Sequence, residues 1–219
     1  MPLTPASFPR CSLYLITPLL SAADANAFAK VFAEVLEAAP LACALVRLAP
    51  GAQTDAKAIV APLLRAAVAA DCALLIENDA RLAQRLGADG VHVAGASADL
   101  VAAIEGLKPN RIVGAGSLRL RDDAMTASEL GADYVMFGEP RGGARAMGLG
   151  SLAERVSWWA EIFETPCVAY AEAISAASEL ARAGADFVAL DEAIWSAASP
   201  PEAARQAEAL IAGVATQIP

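Results

Sequence analysis

A chain of 219 residues with a net charge of −9 and a sequence pI near 4.6 offers no basic stripe to follow a phosphodiester backbone, which argues against nucleic acid as a partner. The hydrophobic share is 57%, much of it alanine, yet charged or turn residues break each apolar run before the roughly 20 residues that span a bilayer, so no membrane segment is expected. The length suits one domain over residues 1–219, and it is ample for an α/β barrel around a single core.

Residues 1–11 read as an amino-terminal extension. Arg10 then precedes an apolar run from Cys11 to Leu20, and Ser21-Ala22-Ala23 has the small side chains of a leader cleavage site. Pro18 interrupts that run, and Leu13-Tyr14-Leu15-Ile16-Thr17 reads equally well as a β-branched and aromatic first strand. From there, short apolar runs alternate with longer alanine-rich amphipathic stretches. Strands are expected near 13–17, 43–48, 73–77, 90–93, 111–115, 133–137, 166–170 and 186–190, with a helix and tail over 200–219. Their continuous apolar character, as in Ala73-Leu74-Leu75-Ile76, belongs to strands covered by helices on one side and packed side chains on the other.

A repeat supports this order. Gly87-Ala88-Asp89-Gly90-Val91, Gly131-Ala132-Asp133-Tyr134-Val135 and Gly184-Ala185-Asp186-Phe187-Val188 each end a helix and enter a strand. The copies stand about two βα units apart, at strands four, six and eight. Eight such units predict closure into a single (β/α)8 TIM barrel, with working residues on the loops after the strands.

Cys11, Cys43, Cys72 and Cys167 show no CxxC spacing and are expected as free thiols in a cytoplasmic protein. His92, the one histidine, alternates with Val91 and Val93 and so points into the barrel. It serves there either as a ligand or acid–base group or as a hydrogen-bonded interior residue. Arg47 and Glu77 end neighbouring strands, where they form either an ion pair or separate ligand contacts. Asn78 and Asp79 suit a metal or ligand, and equally a cap for the third helix. Tyr170 ends the seventh strand and is a further ligand candidate. The glycine-rich segment 138–148, with Arg141 and Arg145, is either a lid or a plain connector. Of the adjacent Trp158 and Trp159, one should pack on the barrel and the other face solvent or a partner, so a homodimer is compatible with the sequence.

Leu13-Tyr14-Leu15-Ile16-Thr17, Leu82-Ala83 followed by Gly87-Ala88-Asp89-Gly90-Val91-His92-Val93, Gly131 to Gly138, and Gly184-Ala185-Asp186 with Ala193-Ile194 fall in one order at one spacing. In this the chain resembles the thiamine phosphate synthase and thiazole tautomerase family. The resemblance implies a barrel that joins an aminopyrimidine diphosphate to a thiazole phosphate and expels pyrophosphate, with Mg2+ as cofactor.

Against that family pattern, a Gln-x-Arg-x-Lys on the second strand falls on Leu45, Arg47 and Ala49. The Asn-Asp after strand three falls on Glu77-Asn78, or on Asn78-Asp79 with a shift of one. The second magnesium carboxylate falls on Ser97, with Asp99 as the shifted candidate. The serine after strand five is Gly116, and the lysine after strand six leaves Arg141 and Arg145 as substitutes. The tautomerase histidine falls near Leu118. The Gly-Gly after strand seven falls on Ala171-Glu172, and the serine after strand eight on Glu192. Like charges 4 Å apart repel by about 4 kcal/mol at an effective dielectric near 20, so Glu172 and Glu192 should reject a phosphate. The expectation is a synthase-like barrel whose mouth takes a small ligand. Mg2+ enters only if the synthase reaction is retained, and no cofactor enters otherwise. The alternative is a non-catalytic binding or regulatory barrel that recognises a neutral or cationic molecule through an acidic mouth of Glu77, Glu172, Asp191 and Glu192.

Overall fold

The computed structural model describes residues 11–138 and 148–215. Eight parallel strands close into a barrel in chain order, β1 to β8, with β1 pairing β8 through Ser12↔Phe187 to Leu15↔Leu190. They are β1 (Ser12–Leu20), β2 (Cys43–Leu48), β3 (Ala73–Glu77), β4 (Gly90–Ala94), β5 (Ile112–Gly116), β6 (Tyr134–Phe137), β7 (Cys167–Tyr170) and β8 (Phe187–Leu190). The helices between them are α1 (Ala25–Ala38), α2 (Ala56–Ala69), α3 (Ala80–Leu86), α4 (Ala98–Leu107), α5 (Arg121–Leu130), α6 (Leu149–Ile162) and α7 (Ala177–Arg182). After β8 come a short α8 (Glu192–Trp195) and the closing α9 (Pro200–Ala215).

Strand alternation divides the core in two. Leu13, Leu15, Leu74, Ile76, Val91 and Val113 pack outward against the helices. Tyr14, Ile16, Leu45, Leu75, Met136 and Val168 fill the lumen. The run from Cys11 to Leu20 is therefore a barrel strand. It extends beyond the expected 13–17 because Pro18, which lacks an N–H, sits at a register irregularity between Ile16 and Leu19. There the Thr17 hydroxyl accepts from Arg47 N–H at 3.0 Å and donates to Pro18 O at 2.8 Å. The sequence placed the last helix from residue 200 and gave no helix between it and β8, where α8 lies. Trp195 on α8 donates its indole N–H to Ile16 O at 2.7 Å and packs against Phe28.

The threefold repeat is a clamp. Gly87, Gly131 and Gly184 adopt φ of 76°, 99° and 100°, which ends each helix and turns the chain toward the sheet. The aspartate that follows grips one residue of the preceding strand from both sides. Asp89 N–H donates to Leu74 O, and its carboxylate accepts from Leu74 N–H at 2.8 Å. Asp133 repeats this on Val113, and Asp186 on Cys167. No helix among the described residues is long and apolar enough to cross a membrane. All four cysteines are free and buried. Burial pushes the thiols of Cys11, Cys72 and Cys167 up to about 12, which keeps them protonated and unreactive.

Candidate functional site

The carboxyl ends of the strands gather most of the singled-out residues. Arg47, the cation carried by the described strands, ends β2 beside Glu77 at the end of β3. Its Nε lies 3.5 Å from Glu77 Oε1. That nitrogen is buried and lacks an aligned hydrogen bond, so charge alone holds the pair. Arg47 therefore meets any incoming anion with part of its charge already matched.

Beside this pair, Asn78 takes φ of 56° and its side-chain oxygen accepts from Ala94 N–H at 2.8 Å. Asp79 caps α3 by accepting from Leu82 N–H at 2.8 Å. Asn78, Asp79 and Asp99 line one groove of about 520 Å3 between α3 and α4, together with Arg81 and Gln84. Asp99 stands exposed in the first turn of α4. The hydroxyl of Ser97, just before it, is buried without a hydrogen-bond partner. Magnesium takes an octahedron of oxygens that includes one or two carboxylates. Here two of the three candidate side chains already serve the backbone, and no group of three His, Cys, Asp or Glu among the described residues could hold a metal ion. Asp79 and Asp99 together bring two carboxylates to this groove, with one oxygen of Asp79 already given to the cap of α3.

At the loops after β7 and β8 the chemistry is acidic. Asp191 is 6% exposed, and its Oδ1 accepts a hydrogen bond of 2.8 Å from the Tyr170 hydroxyl. Glu172 and Glu192 are exposed, each following one member of this pair in the chain. The amide of Ala171 donates to Ala189 O at 2.8 Å, continuing the sheet ladder instead of facing outward. Asp191 falls in the acidic mouth expected from the sequence, and its bond to Tyr170 is seen only in the structure. Arg141 and Arg145 lie outside the described residues.

His92 lies deeper, on β4. Its Nδ1 is 2.8 Å from the Tyr134 hydroxyl, and that hydroxyl is 3.1 Å from the hydroxyl of Tyr14. The three rings cross the lumen because Gly114, in register between His92 and Tyr134, leaves room for one of them. A Cβ on Gly114 would lie 2.0 Å from Tyr134 Cζ. Burial lowers the histidine pKa from 6.5 to about 4, so the ring is neutral at pH 7. It raises both tyrosines well above their usual value. The sequence reading placed His92 inward but missed the tyrosines, although the same alternation puts Tyr14 and Tyr134 in the lumen. Trp159 is buried and donates to Thr165 O at 2.7 Å, whereas Trp158 is half-buried under the Arg121 guanidinium at 4.3 Å.

Comparison with known proteins agrees with this architecture. A family model described as thiamine monophosphate synthase matches residues 13–194. A thiamine-phosphate synthase of Rhodospirillum centenum is 36% identical over 200 residues, which cover 89% of this chain and 94% of that protein. One of Hyphomonas neptunium is 36% identical over 205 residues, covering 91% and 92%. The solved structure of a thiamine phosphate pyrophosphorylase from Pyrococcus furiosus has the same fold, with a TM-score of 0.79 at 24% identity over 94% of this chain and 98% of that one. On these matches the chain belongs to the thiamine monophosphate synthase family.

Proposed function

We propose that this barrel binds a small neutral or cationic molecule at its carboxyl-terminal mouth, and that it does not form thiamine phosphate at a synthase's rate. The observation that carries the reading is the buried Asp191 carboxylate, bonded to Tyr170 and followed by Glu192, with Glu172 after β7. The family pattern places phosphate at these loops. A carboxylate there supplies neither the N–H donors nor the positive field that an anion needs. An amine or a pyrimidine edge finds acceptors instead. Four free, buried thiols support placing the protein in the reducing cytoplasm.

A second reading retains the synthase reaction, and the 36% identity with synthases over most of the chain favours it. It requires Arg47 to act on diphosphate with Arg141 or Arg145, and it requires the exposed Asp99, or Asn78 and Asp79 beside their backbone bonds, to hold Mg2+. Calorimetric titration of pyrophosphate with magnesium separates the two readings. The acidic mouth predicts no saturable heat below about 1 mM, while a retained synthase site predicts clear binding.

A further inference from the structure

The lumen also opens at the amino-terminal end of the strands, opposite the site described above. A cavity of about 270 Å3 lies there, lined by Tyr14, Cys43, Leu75, Ile112, Tyr134 and Phe187 among others. Barrel interiors are ordinarily filled by layers of bulky branched side chains. Here the first inward residues of β2 and β3 are Cys43 and Ala73, and Ala42 adds a third small side chain to the wall. Too little volume enters that layer to close it.

The hydroxyls of Tyr14 and Tyr134 stand 3.1 Å apart, and the second is tied to His92 Nδ1 at 2.8 Å. Neither chain end of this relay is charged at pH 7, because burial keeps both tyrosines protonated and the histidine neutral. The Asp133 carboxylate at the rim is occupied by Val113 N–H and the Lys108 ammonium. A charged ligand would lose its hydration and find no counter-charge on this wall, which disfavours it strongly. An apolar cavity of about 150 Å3 takes benzene, so 270 Å3 has room for a substituted ring or a fused pair.

We propose that this cavity binds an uncharged aromatic molecule of one or two rings whose hydroxyl or N–H bonds to the Tyr14–Tyr134 pair. The site is separate from the carboxyl-terminal mouth and stands whether or not the reading of that mouth holds.

The test is ligand-observed NMR titration of the full chain with 2-naphthol and with indole. Parent protein should bind 2-naphthol with a Kd below about 1 mM. Ala73→Leu, which fills the wall, should weaken both probes at least tenfold. Tyr14→Phe keeps the ring and removes one hydroxyl, so its 2-naphthol affinity should fall about tenfold. Far-ultraviolet circular dichroism checks that each variant is folded, and Tyr14→Phe decides alone should Ala73→Leu fail to fold. No binding by the parent, or equal binding by parent and a folded variant, overturns the proposal.

Discussion

The neutral His92 makes stability depend on pH in a calculable way. In the folded barrel its pKa is lowered from 6.5 to about 4, chiefly by burial in the lumen. A depressed pKa means that the unfolded chain binds the proton more readily. Stability is therefore complete above the unfolded value near 6.5 and is lost as pH falls toward 4. The difference corresponds to about 3 kcal/mol across that window, since each pKa unit is worth about 1.4 kcal/mol. That is a large part of a domain's usual margin of roughly 5–15 kcal/mol. Other groups also titrate there, so the measurement is a comparison. Urea unfolding is followed from about pH 7.5 to about pH 4.5 in the parent and in His92→Asn, which keeps a polar group near Tyr134 but cannot take the proton. The parent should lose about 2.5 kcal/mol more than the variant over that range, which stops just short of the folded pKa. Parallel pH profiles would show that His92 does not titrate as an isolated buried group, and the lumen described here would be wrong.

Three further outcomes are expected. Asp89→Ala removes the acceptor for Leu74 N–H and should cost roughly 1–2 kcal/mol by denaturant unfolding, with faster hydrogen exchange at the Leu74 amide. Gly114→Ala places a Cβ 2.0 Å from the Tyr134 ring and should cost about 3 kcal/mol or more, read as a lower unfolding midpoint with unchanged slope. Glu172→Gly combined with Glu192→Ser removes two carboxylates after β7 and β8 and should raise affinity for a thiazole phosphate by calorimetry. No gain in the double variant would show that these side chains do not control the mouth.

Much of the fold was legible because the physics that sets it is local. A glycine able to take positive φ, followed by Ala-Asp, marks the entry to β4, β6 and β8, and the expected strands from β2 onward fall within about one residue of those observed. The length of β1 was not legible, since Pro18 reads as a stop until Thr17 and Arg47 are seen to bridge the irregularity. The site was harder. Asn78 and Asp79 have the composition of a metal loop and of a helix cap alike, and the bonds of Asp79 to Leu82 N–H and of Asn78 to Ala94 N–H appear only in the structure. Adjacent strand ends left Arg47 and Glu77 either as an ion pair or as separate ligand contacts, and the structure pairs them, whereas the Tyr170–Asp191 bond joins residues 21 apart that the sequence places at the mouth singly.

We propose above that the mouth of this barrel does not support the joining of an aminopyrimidine diphosphate to a thiazole phosphate. The most direct measurement is turnover by the pure, full-length protein supplied with the aminopyrimidine diphosphate, the thiazole phosphate and magnesium, with thiamine phosphate quantified by chromatography. The account predicts no product above the uncatalysed background. A turnover within a few hundredfold of an ordinary enzyme's ~10 s⁻¹ would contradict it and establish the chain as a working synthase.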